Sequence, residues 1–277
     1  MRHAKAYAKL NLALVVGPLR PDGKHEVTTI MQAIDLHDDV ALEPAPALVV
    51  EGFADDTMVR AALDAIAACA DVAPHWRACI EKRIPVAAGL GGGSSDAAAA
   101  LRLANAQLDQ PLPPEALHEL AAELGADVPF FLGDGPRLAT GAGTELAPVA
   151  LPTDYVVLIA VAEGGHKAST AAVYRTFDER RGADGFAERR AELLHVLQDV
   201  EESAGLARLP RNDLASSPLS EELEGLGAFR ADVTGAGPAV FALFEDELAA
   251  QAAEASLGRV ARTWIARPVA GGSRPGG

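Results

Sequence analysis

A glycine-rich segment near residue 90 offers the clearest chemistry in the sequence. It lies between a predicted strand and an alanine-rich predicted helix and reads Pro85-Val86-Ala87-Ala88-Gly89-Leu90-Gly91-Gly92-Gly93-Ser94-Ser95. Glycines let the backbone approach a ligand closely, and the free amides at a helix N-terminus attract an anion. Two serine hydroxyls at the same point can add hydrogen bonds or contact a metal ion. The segment therefore predicts a phosphate-binding loop.

Two common nucleotide-binding loops do not match this segment. The P-loop needs a lysine directly after its glycines, and none is present. The dinucleotide fingerprint needs a third glycine where Ser94 stands. A flexible turn before an alanine-rich helix is the plain alternative. Four glycines within residues 89–93, followed by two serines, favour phosphate binding over that alternative.

A lysine, an asparagine and an aspartate could supply the reacting groups. Lys9 and Asn11 alternate with apolar residues, so on a strand they stand about 6.6 Å apart on one face. Asp127 lies in a Gly-Ala-Asp-Val-Pro segment, where a carboxylate could accept the proton of an attacking hydroxyl. The structural alternatives are a solvated strand lysine and a helix-capping aspartate, because Pro129 follows Asp127 by two residues.

The composition places these residues in a globular chain of 277 residues. Apolar residues make up 49%, and 24 basic against 39 acidic side chains give a net charge of −15. This acidity argues against a nucleic-acid partner, which needs a basic face. No apolar run reaches the roughly 20 residues that cross a membrane, so we expect a cytoplasmic protein with no membrane partner. Cys69 and Cys79 are too few for a zinc site and are expected to be buried, reduced thiols.

The elements that must position the reacting groups alternate irregularly, which is typical of the α+β class. In the first 150 residues we predict strands at 5–14 and 77–84, a helix capped by Ser94 or Ser95 and ending at Leu108, and a helix over 113–124 ended by Gly125. Beyond residue 150 we predict strands at 155–162, 229–233 and 239–244 and helices at 169–178, 187–203 and 245–255. We predict two domains, 1–150 and 151–267, and a flexible tail, 268–277, rich in glycine.

Several short motifs resemble those of the GHMP kinase superfamily, and they occur in the same order. The glycine-rich segment is similar to the phosphate loop of that superfamily, and Gly92-Gly93 is similar to an insertion found in one of its branches. The opening strand, the segment around His25, the Asp127 motif, Asn212-Asp213-Leu214 and the turn over 234–238 also match. Because the match covers nearly the whole chain, the chain is identified as a member of this superfamily.

The resemblance implies a two-domain fold with the active site in the cleft between the domains. It implies ATP as cofactor, accompanied by Mg²⁺, and a small-molecule acceptor. On this pattern Asp127 is the catalytic base and Lys9 the catalytic cation. Lys82 and residues 85–95 would bind ATP, and Ser94 or Ser95 is the candidate metal ligand.

The Gly92-Gly93 doublet also implies an acceptor. It resembles the branch that phosphorylates the 2-hydroxyl of 4-diphosphocytidyl-2-C-methyl-D-erythritol, a cytidine diphosphate derivative of non-mevalonate isoprenoid synthesis. The substrate-binding candidates on this pattern are Asn11, His25, Thr170, Tyr174, Gly235 and Gly237. The sequence departs from the pattern at Lys24, where the family has tyrosine, and at Ala236, where it often has serine or threonine.

Two other functions stay open on the sequence alone. Another kinase of the superfamily, acting on mevalonate, homoserine or a sugar, would share the loop and Asp127. A catalytically inactive nucleotide-binding relative would share the fold, although it need not keep Lys9, Asp127 and the loop together. A monomer and a homodimer are both compatible with the sequence.

Overall fold

The computed structural model describes residues 1–54, 56–163 and 169–271. The described part contains two β-sheets with helices packed against them. Strands and helices do not follow each other in regular βαβ units. The predicted α+β class is therefore confirmed.

The first sheet lies in the N-terminal half of the chain. Its strands are β1 (Arg2–Leu19), β2 (His25–Pro44), β3 (Val49–Glu51), β4 (Trp76–Glu81), β5 (Arg137–Thr140) and β6 (Glu145–Pro148). The strand order is β3-β4-β2-β5-β6, and β1 pairs antiparallel with β2. The helices of this half are α1 (Met58–Cys69), α2 (Gly92–Asn105) and α3 (Pro114–Leu124). Their apolar faces form a core with the sheet, and alanines 97–100 of α2 are fully buried in it.

The second sheet lies in the C-terminal half. Its strands are β7 (Val156–Ala162), β8 (Arg230–Val233), β9 (Val240–Phe244) and β10 (Ala261–Ala266). Their order is β10-β7-β9-β8, and every pairing in it is antiparallel. The helices are α4 (Thr170–Glu179), α5 (Phe186–Gln198), α6 (Pro218–Gly225) and α7 (Glu247–Leu257).

A shared core joins the two halves. Leu10 and Leu12 of β1 are buried in one cluster with Tyr155, Val157 and Phe241 of the second half. Burial of this much apolar surface is the dominant favourable term in packing two halves together. The first strand thus belongs to one sheet by hydrogen bonding and supports the other by packing. The domain boundary at residue 150 stays a prediction.

Three register shifts interrupt the pairing of β1 with β2, and the first two fall within the predicted strand, residues 5–14. The register with β2 shifts between Tyr7 and Ala8 and again between Asn11 and Ala13. Ala6 consequently packs in the first core and Ala8 in the shared core, although the strict alternation of a regular strand would place both on one face. A bulge turns the side chains that follow it toward the other face. Lys9 and Asn11 lie between the first two shifts and keep their common face.

Helix α2 begins earlier than the sequence predicts. Gly91 precedes its first turn with a φ of 72°, so neither Ser94 nor Ser95 is the capping residue. Only glycine adopts the left-handed backbone conformation at little energetic cost, and this conformation at Gly91 lets the helix start at Gly92. The helix also ends at Asn105 rather than Leu108, where the Asn105 side chain exchanges two hydrogen bonds with the backbone of Leu112.

Other predicted boundaries also move. The strand predicted to 84 ends at Glu81, and the helix predicted to 203 ends at Gln198 and is followed by a 3-10 helix, Ser203–Arg208. The predictions omitted the strands β2, β3, β5, β6 and β10 and the helices α1 and α6. Cys69 and Cys79 are free thiols as expected, but both are exposed rather than buried.

The chain remains attached to the first sheet beyond the predicted start of the tail. Pro268 bridges Ile34, and the amide of Val269 donates to the carbonyl of Ala33 over 2.8 Å. The side chain of Gln32 also donates to the Val269 carbonyl. Residues 268 and 269 of the predicted tail are thus paired with the first sheet. The flexibility of the tail stays a prediction, and residues 272–277 lie outside the described residues.

Candidate active site

A cavity of about 960 Å³ opens between the two halves of the chain. The predicted site residues, with the exception of Ser95, all line it: Lys9, Asn11, His25, Lys82, residues 85–94, Asp127, Thr170, Tyr174, Gly235 and Gly237. Pockets of this size hold small ligands and cofactors. The cavity lies where the resemblance implied a cleft.

Lys9 and Asp127 form an ion pair in the wall of this cavity. The Nζ atom of Lys9 lies 3.2 Å from Oδ2 of Asp127 and donates to Oδ1 of Asn11 over 2.6 Å. The Lys9 side chain is 3% exposed and that of Asp127 is 36% exposed. The ammonium is therefore held by the protein, while the carboxylate still reaches the cavity. A buried charge is tolerated only with such partners.

The hydroxyls of two threonines hold Asn11 in place. Its Nδ2 donates to Thr29 Oγ1 over 2.8 Å, and its backbone amide donates to Thr234 Oγ1 over 3.0 Å. Thr29 in turn donates to the carbonyl of Ala13. Both threonines are buried, so the network has little freedom to move. Neither hydroxyl is recognisable as a site residue in the sequence, because each is remote from Asn11 in the chain.

The Asp127 side chain does not cap the helical turn that follows it. A 3-10 helix, Pro129–Leu132, begins after Val128, and no side chain caps it. The capping alternative for Asp127 is therefore wrong. Its carboxylate is paired instead with the ammonium of Lys9.

The glycine-rich loop is fastened to both halves of the chain. The Leu90 carbonyl accepts from the Lys9 amide over 2.9 Å, and the Ala88 carbonyl accepts from the Ala239 amide over 3.0 Å. A Cβ on Gly89, whose φ is +90°, would lie 2.4 Å from the Thr234 carbonyl oxygen. A Cβ on Gly91 would lie 2.9 Å from the Phe131 ring. The loop thus needs glycine both for its backbone angles and for its close packing.

The two serines after the loop have different surroundings. Ser94 lines the cavity, whereas Ser95 is 2% exposed and does not line it. The hydroxyl of Ser94 is therefore available to a bound phosphate or to its metal ion. Ser95 does not fit its predicted place among the ligand contacts.

Lys82 is held by two carboxylates that were not among the predicted site residues. Its Nζ lies 2.5 Å from Oδ2 of Asp38 and 2.7 Å from Oδ2 of Asp96. Burial lowers the pKa of Lys82, but the two carboxylates outweigh that effect and hold the pKa above its usual value. Burial raises the pKa of Asp96 to about 7, against the opposing effect of Lys82. In the sequence these aspartates look like ordinary surface charges.

The acceptor-binding candidates of α4 meet His25 in the wall of the same cavity. The His25 and Tyr174 rings stack with centroids 4.9 Å apart and planes inclined at 26°. The Nδ1 atom of His25 lies 2.9 Å from the Gly17 carbonyl, and its Nε2 lies 3.4 Å from Oδ1 of Asp178. Burial, with the nearby charge of Asp127, raises the pKa of Tyr174 to about 12, so its hydroxyl stays neutral. Asp178 was not among the predicted residues.

The turn between β8 and β9 closes the cavity beside Lys9. Asn212 donates from its side chain to the carbonyls of Val233 and Gly235, each over 2.8 Å. Gly235 and Gly237 have φ angles of 58° and 72°. Asn212 therefore shapes the turn, while Leu214 of the same motif lines the cavity.

Family models and relatives agree with this arrangement. Residues 57–135 match the GHMP kinases N terminal domain, and residues 191–262 match the GHMP kinases C terminal domain. A 4-diphosphocytidyl-2-C-methyl-D-erythritol kinase of Nocardia farcinica (strain IFM 10152) is 39% identical over 98% of this chain and 93% of its own. One of Geobacter sulfurreducens is also 39% identical, over 96% of this chain and 97% of its own. The chain belongs to the 4-diphosphocytidyl-2-C-methyl-D-erythritol kinase family of the GHMP kinases.

Solved structures lead to the same family. A crystal structure of a 4-(cytidine 5'-diphospho)-2C-methyl-D-erythritol kinase has a TM-score of 0.77 and 31% identity, covering 98% of this chain and 100% of its own. A mevalonate kinase has a TM-score of 0.78 with 15% identity, covering 98% of this chain and 100% of its own, and shows the shared fold alone. As a member of the 4-diphosphocytidyl-2-C-methyl-D-erythritol kinase family, the protein is an ATP-dependent small-molecule kinase, and the predicted enzyme class is confirmed.

The described residues were also compared with the requirements of a metal site and of a membrane-spanning helix. Among the described residues, no cluster of three or more histidine, cysteine or acidic side chains could hold a metal ion. No helix within residues 1–54, 56–163 and 169–271 is long and apolar enough to cross a membrane.

Proposed function

We propose that this kinase transfers the γ-phosphoryl group of ATP to the 2-hydroxyl of 4-diphosphocytidyl-2-C-methyl-D-erythritol. The observation that carries the proposal is the Lys9–Asp127 pair, which lies in the same cavity wall as the glycine-rich loop. Relatives bearing the name of this kinase cover nearly the whole chain and support the choice of acceptor. Mevalonate, homoserine and sugars become control acceptors.

The loop over residues 85–94 would hold the ATP phosphates. Its amides and the start of α2 present hydrogen-bond donors and the positive end of a helix dipole to an anion. Mg²⁺ would arrive with ATP, since the described residues contain no acidic cluster to retain it, and the Ser94 hydroxyl is the side chain placed to contact it. The metal would neutralise charge on the transferring phosphoryl group.

Asp127 would act as the base. The acceptor oxygen attacks the γ-phosphorus and forms the new P–O bond, while the bond from that phosphorus to the β–γ bridging oxygen breaks and ADP leaves. The proton of the acceptor hydroxyl passes to the Asp127 carboxylate. The exposed part of that carboxylate faces the cavity, as a base in contact with the acceptor requires.

Lys9 would stabilise the charge that develops in this step. Its ammonium is fixed by Asn11 as well as by Asp127, so it needs no reorganisation when the phosphoryl group moves. The ion pair with Lys9 also fixes the orientation of the Asp127 carboxylate in the cavity. Asn11 therefore serves the reaction by holding Lys9.

The cytidine end of the acceptor would lie against α4. His25 and Tyr174 offer a polar ring and an aromatic face there, and Thr170 lies on the same wall. Lys24, which replaces the family tyrosine, also lines the cavity and can cover the base with its stem while its ammonium meets a phosphate. Gly235 would bring its backbone amide toward the diphosphate, whereas the Gly237 amide donates to the Thr234 carbonyl over 3.0 Å and holds the turn.

An ATP-consumption assay with Mg²⁺ tests this function. The acceptors are 4-diphosphocytidyl-2-C-methyl-D-erythritol, nucleotide-free methylerythritol phosphate and mevalonate. We expect turnover with the cytidine compound alone. Turnover with mevalonate instead would keep the kinase and reject the acceptor, and ATP binding without any turnover would indicate an inactive relative. Cytoplasmic location and a monomer or homodimer stay predictions.

A further inference from the structure

The ion cluster of Asp38, Lys82 and Asp96 has no part in the reaction described above. Both carboxylates are almost completely buried, and the Lys82 side chain is 15% exposed. Taking three charges out of water costs several kcal/mol per ion unless their mutual contacts compensate. Lys82 and Asp96 line the cavity that holds the glycine-rich loop, so the cluster is expected to serve a function there that offsets this cost.

The three residues lie at the two ends of the glycine-rich loop. Lys82 follows β4 and lies just before the loop. Asp96 lies in the first turns of α2, just after the loop. The Lys82–Asp96 contact therefore closes the loop at its base. The loop itself, over residues 85–91, spans the gap between these two points.

Asp38 holds the residues that precede the loop through additional hydrogen bonds. Its Oδ1 accepts from the amide of Arg83 over 2.5 Å and from the amide of Ile84 over 2.8 Å, while its Oδ2 holds Lys82. One carboxylate of β2 thus fixes three consecutive residues before the loop. Ile84 then packs in the shared core, so the chain enters the loop along one path.

The charge balance separates this role from direct phosphate binding. One ammonium faces two carboxylates, so Lys82 has little net positive charge to offer to ATP. A lysine binds phosphate as a point charge, and two adjacent carboxyl groups offset that charge at Lys82, whereas Lys9 faces only Asp127.

We propose that Asp38, Lys82 and Asp96 are positioning residues that clamp the two ends of the phosphate loop, so that its amides are preorganised for the ATP phosphates. The proposal rests on the proposed function only in taking the loop as the nucleotide site. The clamp acts through the backbone of the loop, and none of the three residues needs to touch ATP.

The substitution Asp96→Asn separates the two roles by the sign of its effect. The asparagine side chain keeps an oxygen for Lys82, and its amide can occupy the side where Asp96 Oδ1 has no hydrogen-bond partner among the described residues. The clamp loses a charge-assisted contact, so we expect nucleotide binding to weaken by about tenfold. If Lys82 bound phosphate directly, removing a neutralising carboxylate would strengthen binding instead.

Calorimetry with β,γ-imido-ATP and Mg²⁺ measures this effect without any acceptor. A negative result would therefore reject the clamp without affecting the assignment of the acceptor. Equally, the clamp can be confirmed even if the acceptor assignment is wrong. Leu257→Ala is the matched control, because Leu257 is buried in the core of α7 and does not line the cavity. It is expected to lower Tm and leave the nucleotide Kd within about twofold.

Hydrogen exchange over residues 85–91 gives the second readout. In the nucleotide-free protein we expect faster exchange there in Asp96→Asn than in Leu257→Ala. If Asp96→Asn does not fold, Lys82→Arg, which keeps every charge but changes the shape of the cation, is measured in the same way and is expected to weaken binding and speed exchange. An unchanged or tighter Kd in the folded variant, or unchanged loop exchange, would overturn the clamp.

Discussion

The ammonium of Lys9 and the carboxylate of Asp127 lie 3.2 Å apart, although one belongs to the first strand and the other to the turn after α3. The two also differ in exposure, because Lys9 is buried and Asp127 opens to the cavity. The pair therefore combines a fixed cation with an accessible base. Phosphoryl transfer to an alcohol needs both, since positioning and charge stabilisation supply most of the catalysis.

Asp127→Asn is expected to lower kcat by about 10²–10⁴-fold, because the amide cannot accept the proton of the acceptor hydroxyl. The fold should persist, since Asp127 caps no helix. Steady-state kinetics and circular dichroism measure the two effects. Asp109→Asn removes an exposed carboxylate outside the cavity and serves as the control. A folded Asp127→Asn enzyme with wild-type kcat would rule out the base assignment.

Lys9→Ala is expected to lower kcat by about 10²-fold or more, because the developing charge loses its preorganised partner. Asp127 is partly exposed and so is not left as a buried, unpaired charge. The matched control is Lys5→Ala, which removes an exposed lysine from the same strand. Equal turnover in the two variants would contradict the role of Lys9.

Gly89→Ala is expected to raise the KM for ATP about tenfold or more, because its Cβ would meet the Thr234 carbonyl oxygen at 2.4 Å and force the loop to move. Gly227→Ala is the control. Gly227 has a similar φ of +101°, but a Cβ there meets nothing within 4 Å. The control should lose only a little stability, about 1 kcal/mol, measured by urea unfolding. Equal ATP kinetics in both variants would show that close packing of the loop is unimportant.

Lys24→Tyr is expected to lower the KM for the cytidine acceptor about two- to tenfold, because an aromatic face is added to the base site. The KM for ATP should not change, since Lys24 is not part of the glycine-rich loop. Lys24→Leu keeps an apolar stem without the ring and separates stacking from loss of charge. If Lys24→Tyr leaves the acceptor KM as it was, position 24 does not face the base.

Chelation of Mg²⁺ by EDTA is expected to stop turnover and to leave Tm within about 1 °C of its original value. The described residues contain no cluster that would hold a resident metal, so the ion should bind with ATP rather than stabilise the fold. Differential scanning fluorimetry beside the activity assay measures both. A clear fall in Tm on chelation would reveal a structural metal site.

Local sequence determined the parts of the site that depend on backbone chemistry. Four closely spaced glycines before an alanine-rich helix predict a phosphate loop, because glycine permits close approach of a ligand and the positive φ found at Gly89 and Gly91. The common face of Lys9 and Asn11 follows from the period of a strand, and it survived because both lie between the first two register shifts. Motif order along the chain was enough to indicate the family.

Only the tertiary structure decided the contacts between residues distant in the chain. It placed Asp127 on Lys9 instead of on its own helical turn, buried Ser95, and gathered Asp38, Lys82 and Asp96 around the base of the loop. A carboxylate on a strand looks the same in sequence whether it faces water or a buried ammonium, because the partner comes from another element. Burial and pairing are properties of packed elements, whereas the sequence by itself determines which local conformations each segment can reach.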